Sequence, residues 1–251
     1  MIIERSASLS LVTHQCSLSR LDSFHSSVLI QADPDSVIIQ TWDEGGLYNN
    51  WTLIFRAQAG NSLSVYDAWL NNSVQHHFPW QYDVPLGCTQ FRTDPPCDQT
   101  FRSSILSNWE ASKISEVKIA LYKDGVEQHH IIFNASSTNF TSWFSRDRIL
   151  DSSWDDPENA TLFTMEGTPT LTTTNPRRFI IYGPYRGCPA DYGWMLVVDS
   201  PLDNCPTILS HTPTWPRFVY STATTRVTWS VGGADVGYAE VLAVFVKLTS
   251  R

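Results

Sequence analysis

From residue 27 onward the hydrophobic positions come in short runs rich in β-branched and aromatic side chains, separated by clusters of Gly, Asn, Asp and Pro. Runs at 28–31, 37–42 and 51–57 open the series, with Asp43-Glu44-Gly45-Gly46 between the second and third. Successive strand side chains point to opposite faces, and β-branched residues suit a pleated surface, so these runs predict strands. The clearest element is a hairpin. Val117, Ile119 and Leu121 alternate with Lys118, Ala120 and Tyr122, Lys123-Asp124-Gly125 supplies the turn, and 126–133 returns. Further strands are predicted at 178–182, 194–199, 218–221, 227–230 and 240–246.

Three stretches predict helices instead. Leu63, Tyr66, Trp69 and Leu70 recur at near-helical spacing, as do Phe101, Ile105, Leu106 and Trp109. Trp143, Phe144, Ile149, Leu150 and Trp154 give a third such stretch, which ends in the acidic loop Asp155-Asp156-Pro157-Glu158. Residues 5–27 carry eight serines and no sustained apolar period, and read as a poorly ordered arm. Residues 168–175 form a Thr- and Pro-rich connector. With no internal repeat and no linker long enough to force a cut, the expectation is a Ser-rich arm over 1–26 and a single β-rich domain over 27–251. Its fold class is expected to be α+β, with short helices packed on a sheet.

Composition narrows the function classes. The 251 residues are 42% hydrophobic and 17% charged, as in a globular chain with a substantial core. No apolar run approaches the roughly 18 residues that span a bilayer as a helix. The formal charge of −8 and only four lysines (Lys113, Lys118, Lys123, Lys247) leave no basic stripe to neutralise phosphates, so no nucleic-acid partner is expected. Five sequons stand at Asn50-Trp51-Thr52, Asn71-Asn72-Ser73, Asn134-Ala135-Ser136, Asn139-Phe140-Thr141 and Asn159-Ala160-Thr161, where eleven Asn and this Ser/Thr content give about two by chance. Scarce lysine and abundant tryptophan agree with a secreted, N-glycosylated chain. The opening Met1-Ile2-Ile3-Glu4-Arg5 has no apolar stretch of signal-peptide length, so secretion implies a processed or incomplete form.

None of Cys16, Cys88, Cys97, Cys188 and Cys205 has the spacing of a zinc site. Two local disulfides suggest themselves, Cys88 with Cys97 across an Asp-Pro-Pro turn and Cys188 with Cys205 across a Pro-rich loop. Sequence leaves the connectivity open. Cys16 on the arm is then the odd thiol, available for an intermolecular bridge.

Segment 50–60, Asn-Trp-Thr-Leu-Ile-Phe-Arg-Ala-Gln-Ala-Gly, with Tyr66-Asp67-Ala68-Trp69 after it, resembles the opening of fibrinogen-related domains. The hairpin from Val117 to Phe133 resembles a hairpin of that family, and residues 239–246 are similar to the closing strand of intelectins, lectin relatives of it. The resemblance implies a secreted recognition or matrix domain. The family's Asp-x-Asp-Asn-Asp calcium loop is absent as such, with the acidic loop 151–158 in roughly its place. The family's Gly-Gly-Trp-Trp pocket motif is replaced by Gly187-Cys188-Pro189-Ala190-Asp191-Tyr192-Gly193-Trp194, so neither calcium dependence nor sugar specificity carries over.

Candidate sites follow from chemistry. Sugars are held by ring stacking plus polar groups, which makes Tyr185, Arg186, Asp191, Tyr192 and Trp194 candidates for a glycan site. The competing reading is a rigid loop that packs its aromatics on the sheet end. Asp151, Asp155, Asp156 and Glu158 offer hard oxygens to calcium as a candidate cofactor, against a solvated acidic turn. His76-His77 and His129-His130 invite a metal reading, though neighbours on a strand face opposite ways. No nucleophile elbow, His-Glu-x-x-His or phosphate loop occurs, so an enzyme is not favoured. The expectation is an extracellular domain that binds glycans or extracellular proteins. A structural subunit of an extracellular assembly, self-associating through Cys16, is the alternative, and an extracellular hydrolase comes third.

Overall fold

The computed structural model describes residues 50–74, 76, 84–167, 177–184, 191–202, 214–229 and 233–249, together with the backbone of strands between residues 9 and 48. The chain divides into two compact units, Met1–Leu47 and Tyr48–Arg251. In the first, β1 (Leu9–Val12) pairs antiparallel with β2 (Gln15–Leu18), and β3 (Ser26–Asp33) with β4 (Ser36–Asp43). The predicted runs at 28–31 and 37–42 are the arms of that second hairpin. A short strand, β5 (Leu47–Tyr48), stands at the division.

The second unit is a β-sandwich of two antiparallel sheets, each of six strands. One holds β6 (Trp51–Gln58), β7 (Phe101–Arg102), β8 (Ile114–Lys123), β9 (Val126–Asn134), β10 (Ile149–Ser152) and β17 (Val241–Leu248), in the order β10-β9-β8-β17-β6-β7. The other holds β11 (Leu162–Thr164), β12 (Arg177–Tyr182), β13 (Tyr192–Val198), β14 (Arg217–Ser221) and β16 (Val236–Ala239) in that order, with β15 (Val227–Thr228) on β13. This overturns the α+β expectation. Among the described residues only α1 (Val65–Leu70) is an α-helix.

Period-two patterning builds the core. Val117, Ile119 and Leu121 of β8, Ile131 and Phe133 of β9, and Leu242, Val244 and Val246 of β17 face one layer. Phe179 and Ile181 of β12, Met195 and Val197 of β13, and Phe218 and Tyr220 of β14 supply the other. Strands β12 to β14 read as unbroken apolar runs because their second face is buried too, with Ile180, Tyr182, Leu196, Val198 and Val219 gathered around Trp229. On the outer face of the first sheet, Leu53, Tyr122 and Phe245 pack with Phe91, which stacks on Tyr122 at 4.4 Å.

The 88–97 loop that carries Phe91 is closed by the Cys88–Cys97 disulfide. Its backbone is held by a buried charge on β6. Arg56 donates to the carbonyls of Gln90 and Arg92 and to Gln58 Oε1, which also accepts from the Cys97 amide. Burial lowers the Arg56 guanidinium to about 10.

The hairpin forms as predicted, with Asp124 and Gly125 at φ 53° and 76° in its turn. Gly125 has a second reason to lack a side chain, since a Cβ there would stand 2.6 Å from Arg92 Cγ. Of the predicted helices only the first forms, and it is capped twice. Ser64 accepts from the Asp67 amide, and Asp199, arriving from the end of β13, accepts from the Ser64 hydroxyl and the Val65 and Tyr66 amides.

The second stretch becomes β7 and a 3₁₀ turn, Ser104–Asn108. Phe101 is thereby sent to the outer cluster and Leu106 to the central core, a division no single helix face allows. The third becomes a loop, a 3₁₀ turn Arg146–Arg148 and edge strand β10, because Ile149 to Ser152 complete the ladder on β9.

Candidate functional site

All five sequon asparagines, Asn50, Asn71, Asn134, Asn139 and Asn159, are exposed. Three share a local geometry that an asparagine carboxamide favours, an Asx turn. Asn71 Oδ1 accepts from the Ser73 amide at 3.0 Å and its hydroxyl at 2.6 Å. Asn134 Oδ1 accepts from the Ser136 amide at 2.9 Å. Asn139 Oδ1 accepts from the Thr141 amide and hydroxyl, both at 3.0 Å, and from the Ser142 amide at 2.8 Å. In each case the carboxamide oxygen is engaged by the hydroxy residue of its own sequon, and the Nδ2 that would carry a sugar is not the atom held in that turn.

Of the predicted aromatic site, only Asp191, Tyr192 and Trp194 lie among the described residues, and these three do not form an open stacking surface. Tyr185 and Arg186 lie outside the described residues, as do Cys188, Cys205 and the side chain of Cys16. Asp191 and Trp194 are buried. Asp191 Oδ2 accepts from Arg177 Nη1 at 2.9 Å, with both side chains essentially excluded from solvent. The same guanidinium nitrogen donates to the Tyr182 hydroxyl. Trp194 is fully enclosed, its indole N–H donating to Asp156 Oδ1 at 3.1 Å, and so offers no ring face to a sugar. Tyr192 is half-buried, with the Arg226 guanidinium 5.1 Å from its ring centroid. Asp191 and Trp194 are thus committed to the interior of the sheet.

The proposed calcium ligands are dispersed as well. Asp156 is committed to Trp194 and Asp151 Oδ2 lies 3.1 Å from His130 Nε2, while Asp155 and Glu158 are exposed. No group of three or more metal-ligating side chains occurs among the described residues. His77 lies outside them. His76 Nδ1 accepts the Arg102 amide, and its ring stacks on Phe101.

The second histidine pair divides across the sheet as strand geometry requires. His129 stacks on Trp154 at 4.8 Å on the inner side, where burial lowers its pKa. His130 sits at the centre of a polar cluster between β9 and β10. Its Nδ1 is 2.8 Å from Glu127 Oε1 and 3.2 Å from Ser153 Oγ, and its Nε2 faces Asp151. Lys118 and the Tyr122 hydroxyl donate to Glu127 Oε2.

A Ser–His–Asp grouping suggests hydrolysis, but a general base needs a nitrogen free to take the serine proton. Here carboxylates flank both nitrogens and favour keeping the proton on the ring. The Glu127 hydrogen bond raises the His130 pKa against the opposing effect of burial, with Asp151 adding to the rise. Burial would raise Glu127, yet its bonds to His130 and Lys118 bring it down to about 2. The cluster is an electrostatic clasp between two strands.

Sequence reasoning missed an open cavity of about 400 Å³ at the strand ends of the second unit. Its walls include Gly60, Thr214, Pro216, Arg217 and Tyr238. The Gly60 amide donates to the Pro216 carbonyl and Arg217 Nε to the Thr214 carbonyl, which join the turn after β6 to the entry of β14. The Tyr238 hydroxyl is buried with no partner among the described residues. Burial raises its pKa, and the positive charge of Arg217 opposes that rise. Strand β16 carries Tyr238 and passed unnoticed because Val236, Gly237, Tyr238 and Ala239 make a run too short and too rich in small residues to register as a strand.

No protein-family model, curated protein or solved structure matches this chain. No helix among the described residues is long and apolar enough to cross a membrane.

Proposed function

We propose that the chain is a secreted, N-glycosylated recognition domain that binds a glycan or an extracellular protein. The observation that carries this reading is the sequon set: five exposed asparagines, three of them turned onto the hydroxy residue of their own sequon. The Cys88–Cys97 disulfide supports the same compartment, since such bonds persist where thiols are not kept reduced. Intact-mass measurement before and after enzymatic deglycosylation, on protein from a secreting eukaryotic host, tests it. Sugar on most of the five sites is expected, and an unchanged mass overturns the reading.

Recognition is assigned to the Arg217 and Tyr238 cavity, whose size lies within the roughly 300–1,000 Å³ of small-ligand sites. The Tyr238 phenol gives the cavity wall a polar group, so hydroxyl-rich and acidic glycans are the classes to try first. Tyr238→Phe removes only the hydroxyl. It should weaken binding on a glycan array without lowering the melting temperature, since the hydroxyl it removes is buried and has no partner among the described residues. An array with no bound glycan, acidic or neutral, removes this assignment without touching the compartment.

A further inference from the structure

A second cavity, of about 440 Å³, opens beside one of the sequons. Asn139 itself lines it, with Trp109, Glu110, Lys113, Ser137 and Ser142 among the other walls. The buried Trp109 indole donates to Thr138 Oγ1, which in turn donates to the Ala135 carbonyl, so that part of the wall is held in place. Glu110, Lys113, Ser137 and Ser142 are exposed. Asn139 Oδ1 is taken three times over by Thr141 and Ser142, and its Nδ2 donates to none of the described residues. A sugar joined to that nitrogen therefore starts at the mouth of a cavity large enough for one or two hexosamine rings. Hydroxyl, carboxylate and ammonium groups stand around it to replace water on the sugar.

We propose that this cavity seats the first sugars of the glycan on Asn139, so that this glycan packs against the protein while those at Asn50, Asn71 and Asn159 project into solvent. The inference rests on the N-glycosylation reading. None of the cavities described above has Asn50, Asn71, Asn134 or Asn159 among its lining residues.

The test is site-resolved mass spectrometry of native protein from a secreting eukaryotic host during timed digestion with an amidase that cleaves N-glycans. Release at Asn139 is expected to be several-fold slower than at Asn71 or Asn159. The paired substitution Glu110→Ala and Lys113→Ala, on exposed side chains, should bring Asn139 up to the rate of the others without changing theirs. Release at Asn139 as fast as elsewhere overturns the inference, as does a slow rate that the wall substitutions leave unchanged. An empty Asn139 with sugar on the other sites overturns it while the secretion reading stands, whereas no sugar at any site overturns both.

Discussion

Replacing Arg177 by Met should be among the most damaging single changes available in this protein. Arg177 and Asp191 form a 2.9 Å ion pair whose side chains are 0% and 2% exposed. The Asp191 Oδ1 atom has no partner among the described residues, so Arg177 Nη1 is the one side-chain donor these residues supply to that carboxylate. Removing it leaves a buried charge without compensation, a change that costs about 3–5 kcal/mol. With a urea dependence of about 2 kcal/mol per M, the unfolding midpoint should fall by about 2 M.

The double replacement Arg177→Met with Asp191→Leu removes both charges and keeps an apolar filling. It should recover most of the loss and lie within about 1–2 kcal/mol of the parent protein. Urea unfolding followed by tryptophan fluorescence measures all the variants, and with Asp191→Leu alone it completes a double-mutant cycle. A loss below about 1 kcal/mol for Arg177→Met, or a double variant weaker than that single one, would refute the argument that the pair is held by its burial.

Trp194→Ala should lower stability by about 3–5 kcal/mol, because the ring is fully enclosed, and a thermal melt within a degree of the parent would contradict that burial. The His130 clasp has a pH signature. A folded pKa held above the ordinary imidazole value contributes stability that is complete below about pH 6.5 and is lost as pH rises through the folded value. The gap in melting temperature between parent and His130→Gln should accordingly be larger near about pH 5.5 than near about pH 8, and equal gaps would remove the clasp from the account. Cys88→Ser with Cys97→Ser opens the 88–97 loop and should cost about 2.5 kcal/mol by loop entropy, checked by urea unfolding of the double variant.

What could be read from the sequence was whatever a local pattern determines. The β8–β9 hairpin was legible because alternation and an Asp-Gly turn both act within a few residues of the strands they join. Helix α1 was legible from its spacing, but its second cap was not, since Asp199 reaches Ser64 from the far end of β13. The false helix at Phe101 shows the limit of periodicity: a strand residue followed by a tight turn gives the same spacing with a different destination for each ring. At the predicted aromatic site, composition carries no information on the direction of its side chains. Which face of β13 holds Trp194 depends on its partners across the sheet, and the Arg177 that neutralises Asp191 comes from another strand. The Tyr238 cavity draws its walls from three separated segments and left no local trace.

The place of β17 between β8 and β6 has a consequence for the order of events during synthesis. Of all the strands in its sheet, the one that joins the two halves is made last, and β6 waits for it through the whole intervening chain. At about 5–20 residues per second that wait is on the order of ten to forty seconds. Throughout it, one edge of β6 and one of β8 lack the partner that both will share, which leaves them open to wrong pairing. Four of the five sequons, all but Asn50, lie in the stretch made during that interval. Sugars added to them would arrive on a nascent chain whose first sheet is still in two pieces, where bulky polar groups beside unpaired strands oppose association between copies.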